Sequence, residues 1–354
     1  MTEKLSDVVF DPQALDTFKG WIESSNRFVI LSHTSPDGDA VGSSLALYHF
    51  LKGLGKQVTV CLPSAYPDYF KWMPGQEGVL IHRASMKKTQ AAILSSEVVC
   101  MLDFNVINRI DQMAEAVQSS KAHKILIDHH LGPEVDCDVT ISSPSQCATC
   151  ELLLRLLLAM GYEDRIGKVE ATCLYTGMMT DTGGFTYNSS RSEIFLLVSF
   201  LLGKGIDKDL IYRKVNYNYS SGRLILQGKV LSSMQVLDDY HTAIMTLDAQ
   251  QQKETNVLRG DTEGYVNLPL QIRQVILSCF LRQDTERDQV KLSFRSVGDF
   301  PCNLLAQEFG GGGHKNASGA EVPGATVEDV CIRLKVFLMK YAPLLDECFR
   351  KSPK

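Results

Sequence analysis

The chain has 354 residues, too many for one ordinary core and suited to two domains of about 100 to 200 residues each. Hydrophobic residues make up 44% and charged residues 22%, values of a globular protein, which exclude disorder as its organising state. The 36 basic against 41 acidic side chains leave a formal net charge of −5, which repels a long polyanion and disfavours broad binding to duplex DNA.

No run approaches the roughly 18 apolar residues of a membrane span, and MTEKLSDVVFDP lacks a basic segment followed by an apolar one. The expectation is a cytoplasmic protein with no membrane partner. The ten cysteines read as small buried hydrophobes. Cys147 and Cys150 have CxxC spacing, but no second pair accompanies them and they lead straight into the helical run ELLLRLLLAM, so packing is expected there rather than zinc.

In chain order, RFVILSH is a short apolar run closed by a polar loop, and SSLALYHFLKGLGK after it is apolar at helical spacing. QVTVCL, EVVCMLDF and HKILIDHH repeat the apolar run, each suited to a parallel strand buried on both faces. Strands alternating with helices imply an α/β fold with a mainly parallel sheet. After Tyr187, SEIFLLVSFLLGKGI and KDLIYRKV read as a helical connection. HTAIMTL follows, then QVILSCFLRQ and DQVKLSFRSV, strand-like runs around a polar turn that form a hairpin. LLAQEFGGGGHKNASGA places four glycines after a helical run, where backbone N–H groups can approach an anion. TVEDVCIRLKVFLMKYAPLL closes the chain as a packing helix, with Thr326 and Asp329 spaced as a capping box. The expected division is a catalytic domain over 1–190, a helical connection over 191–229, and a smaller α+β domain over 230–345, across a cleft from the first.

Ligands of open parallel sheets sit at the carboxyl ends of strands. His33, Asp37 and Asp39 follow the first apolar run, Asp103 closes the third, and Asp128, His129 and His130 close the fourth. Asp181, in MMTDTGGF, follows the helical stretch VEATCLYTGMM. Singly these residues read as turn formers, caps or core histidines; Pro36 and Gly38, for instance, favour a turn around Asp37. Jointly they do not, because each would otherwise be a partly buried charge without a partner. Divalent cations resolve the repulsion, and mixed imidazole and carboxylate donors suit manganese, iron or zinc better than calcium, with a shared carboxylate holding two ions about 4 Å apart.

HTSPDGDAVGSSLAL, LDF, IDHH and TDTGGF resemble, in order, the four motifs of the DHH phosphoesterase superfamily, and GGGGHKNASGA resembles the signature of its associated C-terminal domain. Within that superfamily the chain is most similar to bacterial oligoribonucleases that also act as 3′-phosphoadenosine 5′-phosphate phosphatases. The resemblance implies two divalent ions, manganese first, with magnesium, cobalt or iron as alternatives. It makes His33 and Asp37 ligands of one ion, Asp39, His129 and Asp181 ligands of the other, and Asp103 the bridge. Asp128 would orient His129 from behind, as is usual for a ligating imidazole. His130 would face the reacting phosphate, as charge stabiliser or proton donor. The glycine loop would grip a terminal phosphate through Gly311, Gly312, Gly313, His314, Lys315, Asn316 and Ser318, with Arg295 on the neighbouring strand; Arg109 and Arg191 are weaker candidates. The substrates implied are short single-stranded RNA or DNA oligonucleotides and nucleotide bisphosphates, and a homodimer is left open. A linear or cyclic dinucleotide phosphodiesterase, a pyrophosphatase and a non-catalytic nucleotide-binding regulator are the rivals.

Overall fold

A computed structural model describes residues 10–255, 260–285 and 287–351. They divide into two compact units that meet between Asn218 and Tyr219.

The first unit is built on strands β1 (Arg27–Leu31), β2 (Gln57–Leu62), β3 (Leu80–Ile81), β4 (Val98–Leu102), β5 (His123–Asp128) and β6 (Val139–Ser142). All pair in parallel, in the order β3-β2-β1-β4-β5-β6. Each long strand feeds two cores, because successive side chains point to opposite faces. Phe28, Ile30, Val60, Cys100, Leu102, Ile125 and Ile127 join one core. Val29, Leu31, Cys61, Val99, Met101 and Leu126 join the other. Both faces are thus covered, which explains why the strands read as unbroken apolar runs.

The segment expected to connect the domains does not stand apart. Helices Ser192–Gly203 and Lys208–Asn216 bury Ile194, Leu197, Leu201, Ile211 and Val215 in the first core, whereas helix Ser221–Ser232 packs Leu226 and Val230 in the second unit. The division therefore falls inside the expected 191–229 connection, because the apolar stripes of its helices belong to different cores.

The second unit holds strands β7 (Gln235–Leu237), β8 (Thr242–Leu247), β9 (Leu277–Asp284), β10 (Gln289–Ser296), β11 (Gly312–Gly313) and β12 (Ala317–Pro323). Their order is β11-β12-β10-β9-β8-β7, and only β8 and β9 run parallel. The expected hairpin is β9–β10. One sheet face packs on the closing helix Val327–Lys351 through Val330, Leu334 and Leu338. Thr326 starts that helix: its hydroxyl donates to Asp329 Oδ2 at 2.6 Å and accepts from the Asp329 amide at 3.2 Å. Among the described residues no helix is long and apolar enough to cross a membrane. All ten cysteines are free.

Candidate metal centre

The strand order reverses direction between β1 and β4, the crevice where loops leave an open parallel sheet on opposite sides. His33, Asp37 and Asp39 come from the loop and helix after β1, and Asp103 follows β4. Asp37 caps helix Gly38–Gly53, its Oδ1 accepting the amides of Asp39 and Ala40 at 3.0 and 3.1 Å. Asp128 is the last residue of β5, and Asp181 the last of helix Lys168–Asp181. That helix crosses Gly38–Gly53 closely at Gly177, where a Cβ would lie 2.2 Å from Cys150 Sγ and 2.8 Å from Asp39 Oδ1.

These residues converge. His33, Asp37 and Asp103 form one group of donor atoms, and Asp39, His129 and Asp181 another; within each group the atoms lie within 4.8 Å of one another, and Asp103 also groups with His129 and His130. Asp103 turns one oxygen to each side: Oδ2 is 3.4 Å from His33 Nε2, and Oδ1 is 3.7 Å from His129 Nε2. Its backbone takes a left-handed φ of 66°, which Asp and Asn adopt more readily than other side chains. Nε2 of His129 also lies 3.4 Å from Asp181 and 3.9 Å from Asp39.

Both imidazoles are oriented by carbonyls: His33 Nδ1 donates to Thr34 O at 2.8 Å and His129 Nδ1 to Gln146 O at 3.3 Å. The Nδ1–H hydrogen bond directs Nε2 into the cluster, the arrangement that suits a ligating histidine. Asp128 departs from expectation. It holds His130 rather than His129, Oδ1 accepting from His130 Nδ1 at 2.7 Å. Residues two apart at a strand end share a face, so Asp128 meets the second histidine and not the first.

The electrostatics fit a cation site. Burial, reinforced by the charge of Asp39, pushes Asp103 well above the usual carboxylate range and Asp181 up to about 8. Burial opposes charge on His129, but Asp103, Asp181 and Asp39 outweigh it and push the ring up to about 9. Burial lowers His33, with the Arg109 guanidinium acting in the same direction. Arg109 is thus beside the cluster, and its buried Nε has no hydrogen-bond partner among the described residues. Arg191 is engaged elsewhere, bonding both oxygens of buried Glu151 at 2.9 and 2.8 Å and Gln146 Oε1 at 3.1 Å.

Three residues missed in the sequence support the cluster from one stretch. Gln146 orients His129, and Glu151 accepts the Cys147 amide at 2.7 Å. Thr149 donates its hydroxyl to Asp103 Oδ1 at 2.9 Å and its amide to Asp39 Oδ2 at 2.6 Å. The available signal was a polar residue opening an apolar helix. Cys147 and Cys150 are packed as expected, the Cys150 amide adding a bond to Asp39 Oδ1 at 2.9 Å.

The glycine loop belongs to the second unit. Gly311 has no room for a side chain, since a Cβ would lie 2.1 Å from Gly319 O. Several expected substrate contacts anchor the loop: Lys315 pairs with Asp299 at 2.8 Å, the Asn316 amide donates to Ser296 Oγ at 2.9 Å and Gly298 O at 3.0 Å, and buried Ser318 donates to Cys302 Sγ at 3.3 Å. Gly312, Gly313 and His314 remain exposed at the tip, closed by paired backbone bonds between His314 and Ala317. Arg295 lies beside them, in register with Ala317 on β12.

Comparison with known proteins agrees with this architecture. Residues 27–178 match the DHH family, N-terminal domain, and residues 241–339 match the DHHA1 domain. A crystal structure of an exopolyphosphatase-related protein from Bacteroides fragilis is 51% identical, with a TM-score of 0.92 over 96% of this chain and 99% of that one. The bifunctional oligoribonuclease and PAP phosphatase NrnA of Thermus thermophilus is 28% identical over 86% of this chain and 87% of its own length. RecJ from Thermus thermophilus, in complex with Mn2+, shares the fold at 13% identity and a TM-score of 0.54, covering 96% of this chain and 55% of that one. With both domain models matched in order and a half-identical structure along nearly its full length, the chain belongs to the DHH family and carries a DHH domain followed by a DHHA1 domain.

Proposed function

We propose that this protein is a manganese-dependent phosphoesterase that hydrolyses short oligoribonucleotides to mononucleotides and 3′-phosphoadenosine 5′-phosphate to AMP and phosphate. The observation that carries this is Asp103, one buried carboxylate shared between two groups of nitrogen and oxygen donors. The substrates come from the activities named for the Thermus thermophilus NrnA relative. His33 and Asp37 with Asp103 Oδ2, and Asp39, His129 and Asp181 with Asp103 Oδ1, would hold two divalent ions. When bound, such ions polarise the phosphoryl group and acidify water. His130, its Nδ1 proton held by Asp128, stabilises charge beside the reacting phosphate. Arg109 adds a cationic group there. The exposed tip Gly312–His314, with Arg295, offers close backbone approach, an imidazole and positive charge to a terminal phosphate.

Product analysis with purified full-length protein and added Mn2+ tests this on a panel of a diribonucleotide, a cyclic dinucleotide, 3′-phosphoadenosine 5′-phosphate and inorganic pyrophosphate. Mononucleotides from the first and AMP with phosphate from the third are expected. Turnover of pyrophosphate or the cyclic dinucleotide alone, or of none of the four, would overturn the assignment.

A further inference from the structure

Helix Thr149–Ala159 begins without a conventional cap. Its N-cap is Ala148, which has no side-chain acceptor, so the first amides of the helix must find oxygen elsewhere. They find it on Asp39, 110 residues earlier in the chain: Oδ2 takes the Thr149 amide at 2.6 Å and Oδ1 the Cys150 amide at 2.9 Å. Each oxygen of Asp39 is thereby fixed, with the positive end of the helix facing its charge. The Thr149 side chain, fully buried, turns instead to Asp103 Oδ1 at 2.9 Å. The Thr149 hydroxyl is the donor, and with a cation holding Asp103 ionised the bond would be of the stronger, charge-assisted kind.

Oδ1 is also the Asp103 oxygen that faces His129, whereas Oδ2 faces His33. A donor fixed on Oδ1 stops the carboxylate from rotating and settles how its oxygens divide between the two groups. One residue thus touches the carboxylate that follows β4 and the carboxylate carried by the helix after β1.

We infer that Thr149 is a positioning residue: its hydroxyl and amide set the spacing of Asp103 and Asp39, and through it the affinity of the Asp39–His129–Asp181 group for a divalent ion. The inference rests on the metal-dependent reading above. Loss of the hydroxyl weakens the ion on the Oδ1 side more than the other, because Thr149 holds Oδ1 whereas His33 meets Asp103 through the opposite oxygen.

The test uses the full chain and Mn2+ alone, titrated calorimetrically into metal-free wild type, Thr149→Val, Thr149→Ala and Thr149→Ser, with melting curves in EDTA as the fold control. Valine keeps the volume and loses the hydroxyl; serine restores it. Wild type is expected to bind two ions. Thr149→Val should bind one of them about 10- to 100-fold more weakly, the usual loss when a partner that orients a metal ligand is removed. Thr149→Ser should recover the wild-type isotherm. In turnover the Mn2+ half-saturation point should rise in Thr149→Val, with KM for substrate unmoved. If Thr149→Val melts early, Thr149→Ala is read in its place. Wild-type isotherms in the hydroxyl-free variants would overturn the inference, and so would a serine variant as impaired as valine. Loss of fold in both hydroxyl-free variants would assign Thr149 to structural support and overturn it too. If wild type itself takes up no Mn2+, the metal-dependent reading fails and takes the inference with it, an outcome distinct from a failure confined to Thr149.

Discussion

Asp103 meets two demands that pull in opposite directions. Its carboxylate lies between the two donor groups, one oxygen beside His33 and the other beside His129, yet burial and the neighbouring charge of Asp39 push its pKa upward. Asp103→Asn should therefore lower activity by more than the ~10- to 100-fold typical of residues that merely orient a ligand, while raising the metal-free stability by about 1–2 kcal/mol near pH 8. Asparagine suits the left-handed backbone and still accepts from Thr149, so the loss is one of charge. Steady-state rates with Mn2+ and urea unfolding in EDTA check the two halves. The same charges set a pH dependence. Asp181, raised from 3.8 to about 8, gives stability fully present below its unfolded value and lost as pH rises through about 8. His129, raised from 6.5 to about 9, gives stability present below 6.5 and lost through about 9. His33 is lowered and acts in the opposite sense, below its ordinary 6.5, so the clean window lies above that. Metal-free protein should lose stability between about pH 7 and 9, and saturating Mn2+ should flatten the profile; a flat profile in EDTA would contradict the charge arrangement. At this scale the sequence exposed the acids and histidines, because polar residues closing apolar strands stand out. It hid the partner of Asp128, which depends on which way the strand end faces. It also hid Thr149, whose importance arises only when residues 39 and 103 are brought to it.

The glycine loop divides its residues between architecture and access. Gly311→Ala forces a Cβ against Gly319 O and should destabilise the second unit by about 1–3 kcal/mol, the range for overpacking. Gly312→Ala meets nothing within 4 Å and should stay within about 0.5 kcal/mol of wild type, so any rise in KM it causes would report contact with substrate. Urea denaturation with parallel kinetics separates the two. The long strands were legible because covering both faces removes polar alternation. β3 and β6, with two and four residues, carry too little pattern to be seen, and β11 is two glycines whose pairing on β12 no propensity announces. The helices after residue 191 were recognised as helices, but which core their apolar stripes would join was a tertiary outcome.

Across the whole chain, 41 acidic against 36 basic side chains leave little to attract a long phosphate backbone. Catalytic efficiency should fall steeply as RNA grows beyond a few nucleotides. Initial rates on 5′-labelled RNAs of graded length, at fixed salt and saturating Mn2+, measure this; equal or rising efficiency would show a channel that follows the strand. The cluster also spans much of the chain, from His33 to Asp181, on loops and helix ends set by strands that pair only after long crossovers. That order has a consequence for biosynthesis. Donors of the His33–Asp37–Asp103 group have all been made once residue 103 leaves the ribosome, whereas the Asp39–His129–Asp181 group lacks a member until residue 181. The donors of the two groups are therefore completed one after the other, and a chain that stalls between residues 103 and 181 has every donor of the first group and lacks Asp181 of the second.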